Sequence, residues 1–454
     1  MSGGNGVWDL VVAGAGPAGC ALAGKVAASG ARVLVLEREE EAGGGRGWIV
    51  DVERDTFRQA GVPEPDARAS WFEPERQVMF SSSMEHSIEL LPSPVRPVRN
   101  DIYVRQLVAW ASGAGAEVKS GCTVLGPAIE DGAVRGVYYD VGDGSRSIAR
   151  ARLVADCTGI SGAVRKGTPR SWGLDSRVDR FDTVLARREV RRVDAEAAAG
   201  VLRDGGFPNR VRIDRLGALG AYSTETICLD LDNGYIDILV GVKADASGHP
   251  NADQRFREIE MEWPFIGERI FGDGGAIPIR RTLDSLVGDG LLVLGDSACQ
   301  VIPAHGSGTA SALIAADLAA RAVVRSLDER RFDRAALWDY NFEFQSGRGA
   351  ILAYYYALRL HAETLAVPQI DRLLKNGVLA PEDVHSGLVP EPFNASPGLL
   401  AKKIAHGSGD IRLLVGFARA GLTAARMMKH YRRYPRRFSD RALEEWRHGV
   451  PRPG

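Results

Sequence analysis

Cysteine is scarce in this chain: 454 residues contain only Cys20, Cys122, Cys157, Cys228 and Cys299, with no CxxC pair and no Cys/His group at metal-ligand spacing. A disulfide framework is therefore not expected, and no metal site is expected either. An excess of one charge is also lacking. The 57 Lys and Arg nearly cancel 58 Asp and Glu, so no global field points to nucleic acid. No charge-free stretch approaches the roughly 20 apolar residues that a membrane span needs. The opening MSGGNGVWDL has neither the basic region nor the apolar run of a secretory signal. These absences lead us to expect a soluble cytoplasmic protein, and the length allows two or three domains.

What is present starts with WDLVVAGAGPAGCALAGKVAASGARVLVLER. A strand over Leu10–Ala13, a glycine-rich turn, a helix reaching Ala28 and a second apolar strand, Val33–Leu36, form a βαβ unit. Gly14 suits the tight turn, Gly16 lets a pyrophosphate approach the backbone, and Gly19 lets the helix pack on the strand. Pro17 and Ala18 begin the helix, whose N-terminus would face the phosphates. Glu37 lies eighteen residues past Gly19, where a carboxylate can accept hydrogen bonds from a ribose. A lone GxGxxG can be a structural turn, but these flanking elements and this acid point to a dinucleotide. NAD and FAD both fit.

Two further stretches bear on that choice. The helix DIYVRQLVAWASGAGAEV contains Arg105 and is followed by short apolar segments separated by the hairpin-favouring pairs Asp131-Gly132 and Asp143-Gly144. That run ends on a buried strand, Leu153–Ala155, then Asp156, Thr158 and Gly159. Later, in LLVLGDSACQVIPAHGSGTASALIAADLAA, an apolar strand meets Gly295-Asp296, a loop broken by Pro303, Gly306 and Gly308, and an alanine-rich helix. A buried aspartate there needs donors. Ligand hydroxyls could supply them, or Asp296 could cap the helix.

The three motifs GAGPAG with LER, DCTGISGAVR and GDSACQVIPAHGSG together resemble flavoproteins with a glutathione-reductase-type FAD domain and a para-hydroxybenzoate-hydroxylase-like architecture. The resemblance implies an α/β (α+β overall) fold. In it a Rossmann-like FAD-binding domain carries an inserted antiparallel-sheet substrate domain and a helical C-terminal region. The FAD-binding domain would be discontinuous, over residues 1–75, 100–170 and 280–330, with the substrate domain at 76–99 and 171–279 and the helical region at 331–454. Asp296 would bind the ribityl hydroxyls, with Gly295, Pro303, Gly306 and Gly308 around the ring end. Arg105 would lie near the phosphates, unless it is a solvated helix residue, and the Val124 backbone would meet the adenine. Arg38, Asp156 and Gly159 belong to the same implied FAD set.

Between Arg165 and Gly295, AYSTETICLDLDNGYIDILVGVKAD alternates as a strand, turns at Asp232-Asn233-Gly234 and returns, as expected of a substrate sheet. Within the group the chain is most similar to geranylgeranyl-reductase-like flavoproteins, through the PxHGxG core Pro303-Ala304-His305-Gly306-Ser307-Gly308. Those reductases line their cavity with YxWxFP; here Tyr222, Thr224 and Thr226 stand in the equivalent hairpin. This shorter, more polar wall suggests a smaller or more polar substrate than a long prenyl chain, with Thr224 and Thr226 contacting it. Halogenase-like chemistry is disfavoured, because no lysine lies between Lys25 and Lys119 and no WxWxIP signature is present. Aromatic hydroxylases usually read GDAAH where this chain reads Gly295-Asp296-Ser297-Ala298-Cys299.

The expected function is FAD-dependent hydride transfer on a C=C (or C–C/C–N) bond of a small organic substrate, free or carrier-bound. NAD(P)H or another external reductant would supply electrons, and FAD-dependent monooxygenation is the alternative. His305 is the candidate acid or base, against a role in fixing its loop; Tyr222 is a second candidate, against packing of its ring. The basic run from Arg426 to Arg437 suggests a peripheral membrane or acidic-carrier contact, or a solvated helix end. From Asp333 onward the pattern is mainly helical, with an irregular connection expected over Pro381 to Pro397.

Overall fold

The computed structural model describes residues 6–142, 144–174, 176–199, 209–217, 223–245, 250–393, 403 and 410–452. Its larger core forms around a mainly parallel sheet whose central segments, Leu10–Ala13, Val33–Leu36, Leu153–Ala155 and Leu291–Val293, are apolar and buried along their whole length, as strands covered on both faces must be. In sheet order these are Val287–Gly288, Leu291–Val293, Arg146–Asp156, Trp8–Ala13, Val33–Leu36 and Glu117–Lys119. All neighbours in this order run parallel except the first pair. The helix Pro17–Ala27 packs on this sheet and on helices Asn100–Gly113 and Thr309–Glu329. Gly24 permits that closeness: a Cβ there would lie 2.4 Å from the Trp110 ring.

Arg146–Asp156 is long enough to serve two pairings. Residues from Ala151 onward run parallel to Trp8–Ala13, while Arg146–Arg150 pair antiparallel with Ala133–Asp140, which pairs in turn with Thr123–Glu130. The expected turn at Asp131-Gly132 is present, with φ of 50° and 75°. Asp143 lies outside the described residues.

A second sheet has seven strands, in the order Ile266–Pro278, Thr183–Val193, Tyr235–Lys243, Ser223–Asp230, Val211–Leu216, Arg76–Phe80 and Ser87–Leu90. One face packs Ile227, Leu229, Ile236 and Ile238 against Phe256 and Ile259 of the helix Ala252–Glu262. The opposite face carries Arg188, Leu239, Thr226 and Asp214 in one cross-strand row. A separate two-stranded piece joins Ile49–Glu53 to Val95–Arg99.

The described residues beyond Asp333 are mainly helical, as the periodicity predicts. The region from Pro381 corrects the sequence reading: Pro381–Leu388 is a helix and not irregular chain. Proline at the start of a helix loses nothing by lacking an N–H, and Asp383 Oδ2 accepts from the Ala380 N–H at 2.8 Å. Residues 394–400 lie outside the described residues. No described helix is long and apolar enough to cross a membrane.

Candidate functional site

A cavity of about 540 Å³ opens beyond the carboxyl ends of four parallel strands, marked by Gly14, Glu37, Cys157 and Gly295 in its lining. This end of an open parallel sheet is where helix N-termini and strand-end loops converge on a ligand. Most of the expected residues meet there: Gly14, Gly16, Pro17, Ala18, Glu37, Arg38, Val124, Gly159, Gly295, Asp296, His305, Gly306 and Gly308.

The first glycines have separable roles. Gly14 has a φ of 101°, and a Cβ on it would lie 2.4 Å from the Cys157 carbonyl oxygen. A Cβ on Gly19 would lie 2.0 Å from the Gly14 carbonyl oxygen, so Gly19 serves helix-to-strand packing and stays out of the lining. Gly16 has nothing within 4 Å of a built Cβ, which leaves its cavity side open to a ligand. Gly16 also precedes the helix Pro17–Ala27 as an N-cap without a side-chain hydrogen bond, leaving N–H groups free for an anion. Glu37 anchors this turn: its Oε2 accepts from the Ala15 N–H at 2.7 Å and its Oε1 from the Glu39 N–H at 3.1 Å.

Asp296 also lines the cavity. Burial pushes its carboxyl above the usual carboxylate range, and Arg46 opposes that shift. Among the described residues no donor is hydrogen-bonded to its side chain, and the helix-capping alternative finds no support, since Thr309–Glu329 has no side-chain cap. Its carboxylate is thus available to hydroxyl donors. His305 is more committed. Its Nε2–H donates to the Gly387 carbonyl at 3.1 Å, and its Nδ1 accepts a long 3.4 Å contact from the Ser307 N–H. Burial lowers its pKa, with Glu53 opposing, so the ring is held neutral as a tie between the glycine loop and the helix Pro381–Leu388.

Other expected residues stand elsewhere. The Asp156 carboxylate is fully buried and accepts from Thr158 N–H and Oγ1–H, Val164 N–H and Arg165 N–H, which makes it the knot of its own loop. Arg105 is exposed and lies over Gly43, while Asn100 and Val104 of the same helix reach the lining. Pro303 is buried beside the lining. Thr224 is half-buried, opposite Gly241. Thr226 donates to Asp214 Oδ1 at 2.5 Å and does not line the cavity. Tyr222 lies outside the described residues.

The sequence reading missed a charged part of the lining. It contains Arg46, Asp51 and Arg188. Arg188 donates to Asp237 Oδ2 at 2.6 Å and to Asp51 Oδ2 at 2.9 Å; Arg212 lies 2.6 Å from Asp51 Oδ1 and 3.0 Å from Asp214 Oδ2. Gln77 Nε2 donates to Asp214 Oδ2 at 2.6 Å. Charged residues so deeply buried are stable only when each is paired. The signal was present as alternation, since Arg212 and Asp214 share one strand face, but pairing with Asp51 requires the fold.

Residues 8–202 match a family model described as an FAD binding domain. A digeranylgeranylglycerophospholipid reductase of Sulfolobus acidocaldarius is 23% identical over 448 residues, covering 98% of this chain and 96% of that protein. The chain is thus similar to FAD-dependent, geranylgeranyl-reductase-like flavoproteins. It is an FAD-dependent oxidoreductase. A geranylgeranyl bacteriochlorophyll reductase-like structure from Thermoplasma acidophilum has a TM-score of 0.73 at 18% identity, covering 91% of this flavoprotein and 99% of that chain. The flavin-dependent brominase Bmp2 has a TM-score of 0.62 at 16% identity over 90% of this chain and 100% of its own, so the fold is shared across different chemistries.

The residues of the cavity fit FAD on their own account. The open side of Gly16 and the uncapped helix N-terminus suit a pyrophosphate, and the unsatisfied Asp296 carboxylate suits polyol hydroxyls. Asp296→Ala is therefore expected to weaken FAD binding by about 1–3 kcal/mol, read by fluorescence titration of deflavinated protein. Hydroxyl donors favour the ionised carboxylate, so wild-type affinity should rise with pH through the elevated Asp296 pKa. Asp296→Asn should lose that slope; unchanged affinity in Asp296→Ala would refute the assignment.

Proposed function

We propose that this flavoprotein transfers a hydride between FAD and a C=C (or C–C/C–N) bond of a small, natural-product-like substrate bearing a polar group. Bound FAD supplies the hydride chemistry. The observation that carries the polar part of the reading is the Asp51–Arg188 pair in the cavity lining, backed by Arg212, Asp214 and Asp237. A hydrocarbon-only ligand would desolvate this wall and return no hydrogen bonds, whereas a substrate hydroxyl or carboxylate can share its donors. The end-to-end match to a curated reductase supports the reductive direction.

In this reading residues 1–75, 100–170 and 280–330 form the glutathione-reductase-type, Rossmann-like FAD-binding unit. Residues 76–99 and 171–279 supply an inserted substrate domain, whose sheet brings Arg188, Leu239 and Ile277 to the cavity. Gly14, Gly16, Pro17, Ala18 and Glu37 hold the phosphate and ribose end, Val124 and Arg38 flank the adenosine, and Asp296, Gly306 and Gly308 hold the ribityl and ring end. His305 keeps that loop in place, and Thr226 orients Asp214. An external reductant such as NAD(P)H would reload the cofactor.

The test is anaerobic. Photoreduced holoenzyme mixed without oxygen with unsaturated acids and alcohols should recover its oxidised-flavin absorbance as saturated product forms. Product formation that occurs only with oxygen, and carries an oxygen atom from it, would overturn the proposal in favour of monooxygenation. In the same assay His305→Gln should chiefly lower FAD retention; a loss in kcat with a displaced pH profile and full FAD would instead give His305 an acid–base role.

A further inference from the structure

The helix Ile411–Tyr431 has two faces with different purposes. Leu413, Ala420, Ala424, Met427 and Tyr431 are buried against the protein, much of this packing being on the helix Ala350–Ala362. The other face is outward, yet three large apolar side chains line it: Ile411 is 68% exposed, Val415 42% and Leu422 60%. Successive steps of 100° place these three in one stripe, with Ala418 and Ala425 along one flank. Along the other flank run Arg412, Arg419 and Arg426, spaced one heptad apart.

The charge on this face is of one sign. From Ile411 to Arg437 there are eight Arg and Lys residues and no Asp or Glu. All eight are exposed, and among the described residues none makes an ion pair. Elsewhere the exposed arginines commonly have carboxylate partners, as Arg58 does with Asp55 and Arg441 with Glu445. A merely solvated helix end explains the cations but not the apolar stripe beside them. An acidic protein would match the charge but leaves the same stripe unexplained.

We propose that this helix face and the Arg432–Arg437 segment after it seat the enzyme on an anionic lipid bilayer. Ile411, Val415 and Leu422 would enter the headgroup boundary while the arginines meet lipid phosphates, the arrangement of an in-plane interfacial helix. The proposal does not depend on the reaction assigned above, because none of these residues lines the cavity.

The experiment uses full-length, FAD-loaded enzyme and sucrose-loaded vesicles at about 0.15 M salt, where surface charges act over roughly 8 Å. Vesicles of phosphatidylcholine with phosphatidylglycerol should sediment the enzyme, and vesicles of phosphatidylcholine alone should leave it in solution. Arg412→Gln/Arg419→Gln/Arg426→Gln should lower the partition by about tenfold or more, and Val415→Ser/Leu422→Ser should lower it severalfold. Flavin absorbance and melting temperature identify any variant that has misfolded. No sedimentation with anionic vesicles, or retention by polyglutamate in their place, overturns the proposal. So does full vesicle binding by the serine variant, which would reduce the contact to charge alone.

Discussion

Arg188→Met is expected to cost about 3–5 kcal/mol of folding free energy, the range found when one partner of a buried ion pair is removed. The change keeps side-chain bulk but leaves Asp237 without its bidentate partner, which lies at 3.0 Å and 2.6 Å, and leaves Asp51 with Arg212 alone. Urea unfolding of the holoenzyme would measure it, and Arg188→Met/Asp237→Asn should recover part of the loss. The pH dependence carries a sign. Burial alone would raise the Asp51 pKa, but Arg188 and Arg212 together hold it well below the usual carboxylate range. A depressed carboxyl stabilises the fold above its unfolded pKa of about 3.9 and ceases to do so as pH falls through the folded value. Wild-type stability should therefore decline in acid below about pH 4, and the single variant should show a shallower decline. A cost below about 1 kcal/mol would mean that the wall is not held by its charges.

Gly14→Ala should cost about 3 kcal/mol or more of stability and abolish FAD loading. Two penalties add: a positive φ of 101° forced on a side chain, and a Cβ 2.4 Å from the backbone oxygen of Cys157, just past the end of the neighbouring strand. Gly16→Val provides the contrast, since nothing in the protein lies within 4 Å of the new Cβ. It should unfold near the wild-type midpoint while FAD affinity falls by at least about tenfold. Thermal melts of the deflavinated proteins, compared with flavin titrations, separate the two effects. Equal flavin affinity in Gly16→Val and wild type would remove the pyrophosphate from this turn.

The glycine-turn part of the cavity was the more legible one. Gly14, Gly16, Gly19 and Glu37 belong to one local unit, and the tight turn and the helix-to-strand packing follow from chain spacing alone. Asp296 was legible because a strand end, an acid and a glycine loop are consecutive. The charged cluster was not: Asp51, Arg188, Arg212 and Asp237 come from four strands, and nothing local says that they converge. Thr226 had the right face but not the right neighbour, because its hydroxyl is taken by Asp214. The helix Pro381–Leu388 was hidden by reading its proline as a break when it occupies a helix start.

The order of strands in the parallel sheet also has a consequence during synthesis. Trp8–Ala13 has Arg146–Asp156 beside it, and that strand waits for Leu291–Val293 on its far side. The cavity lining is completed only by residues up to Ala312. A nascent chain emerging from the ribosome therefore exposes the glycine turn early, with an unpaired apolar sheet edge and no floor beneath the cofactor. The lining is complete only after roughly two thirds of the polypeptide has been made, and until then the growing chain carries an open apolar edge of the kind that invites self-association.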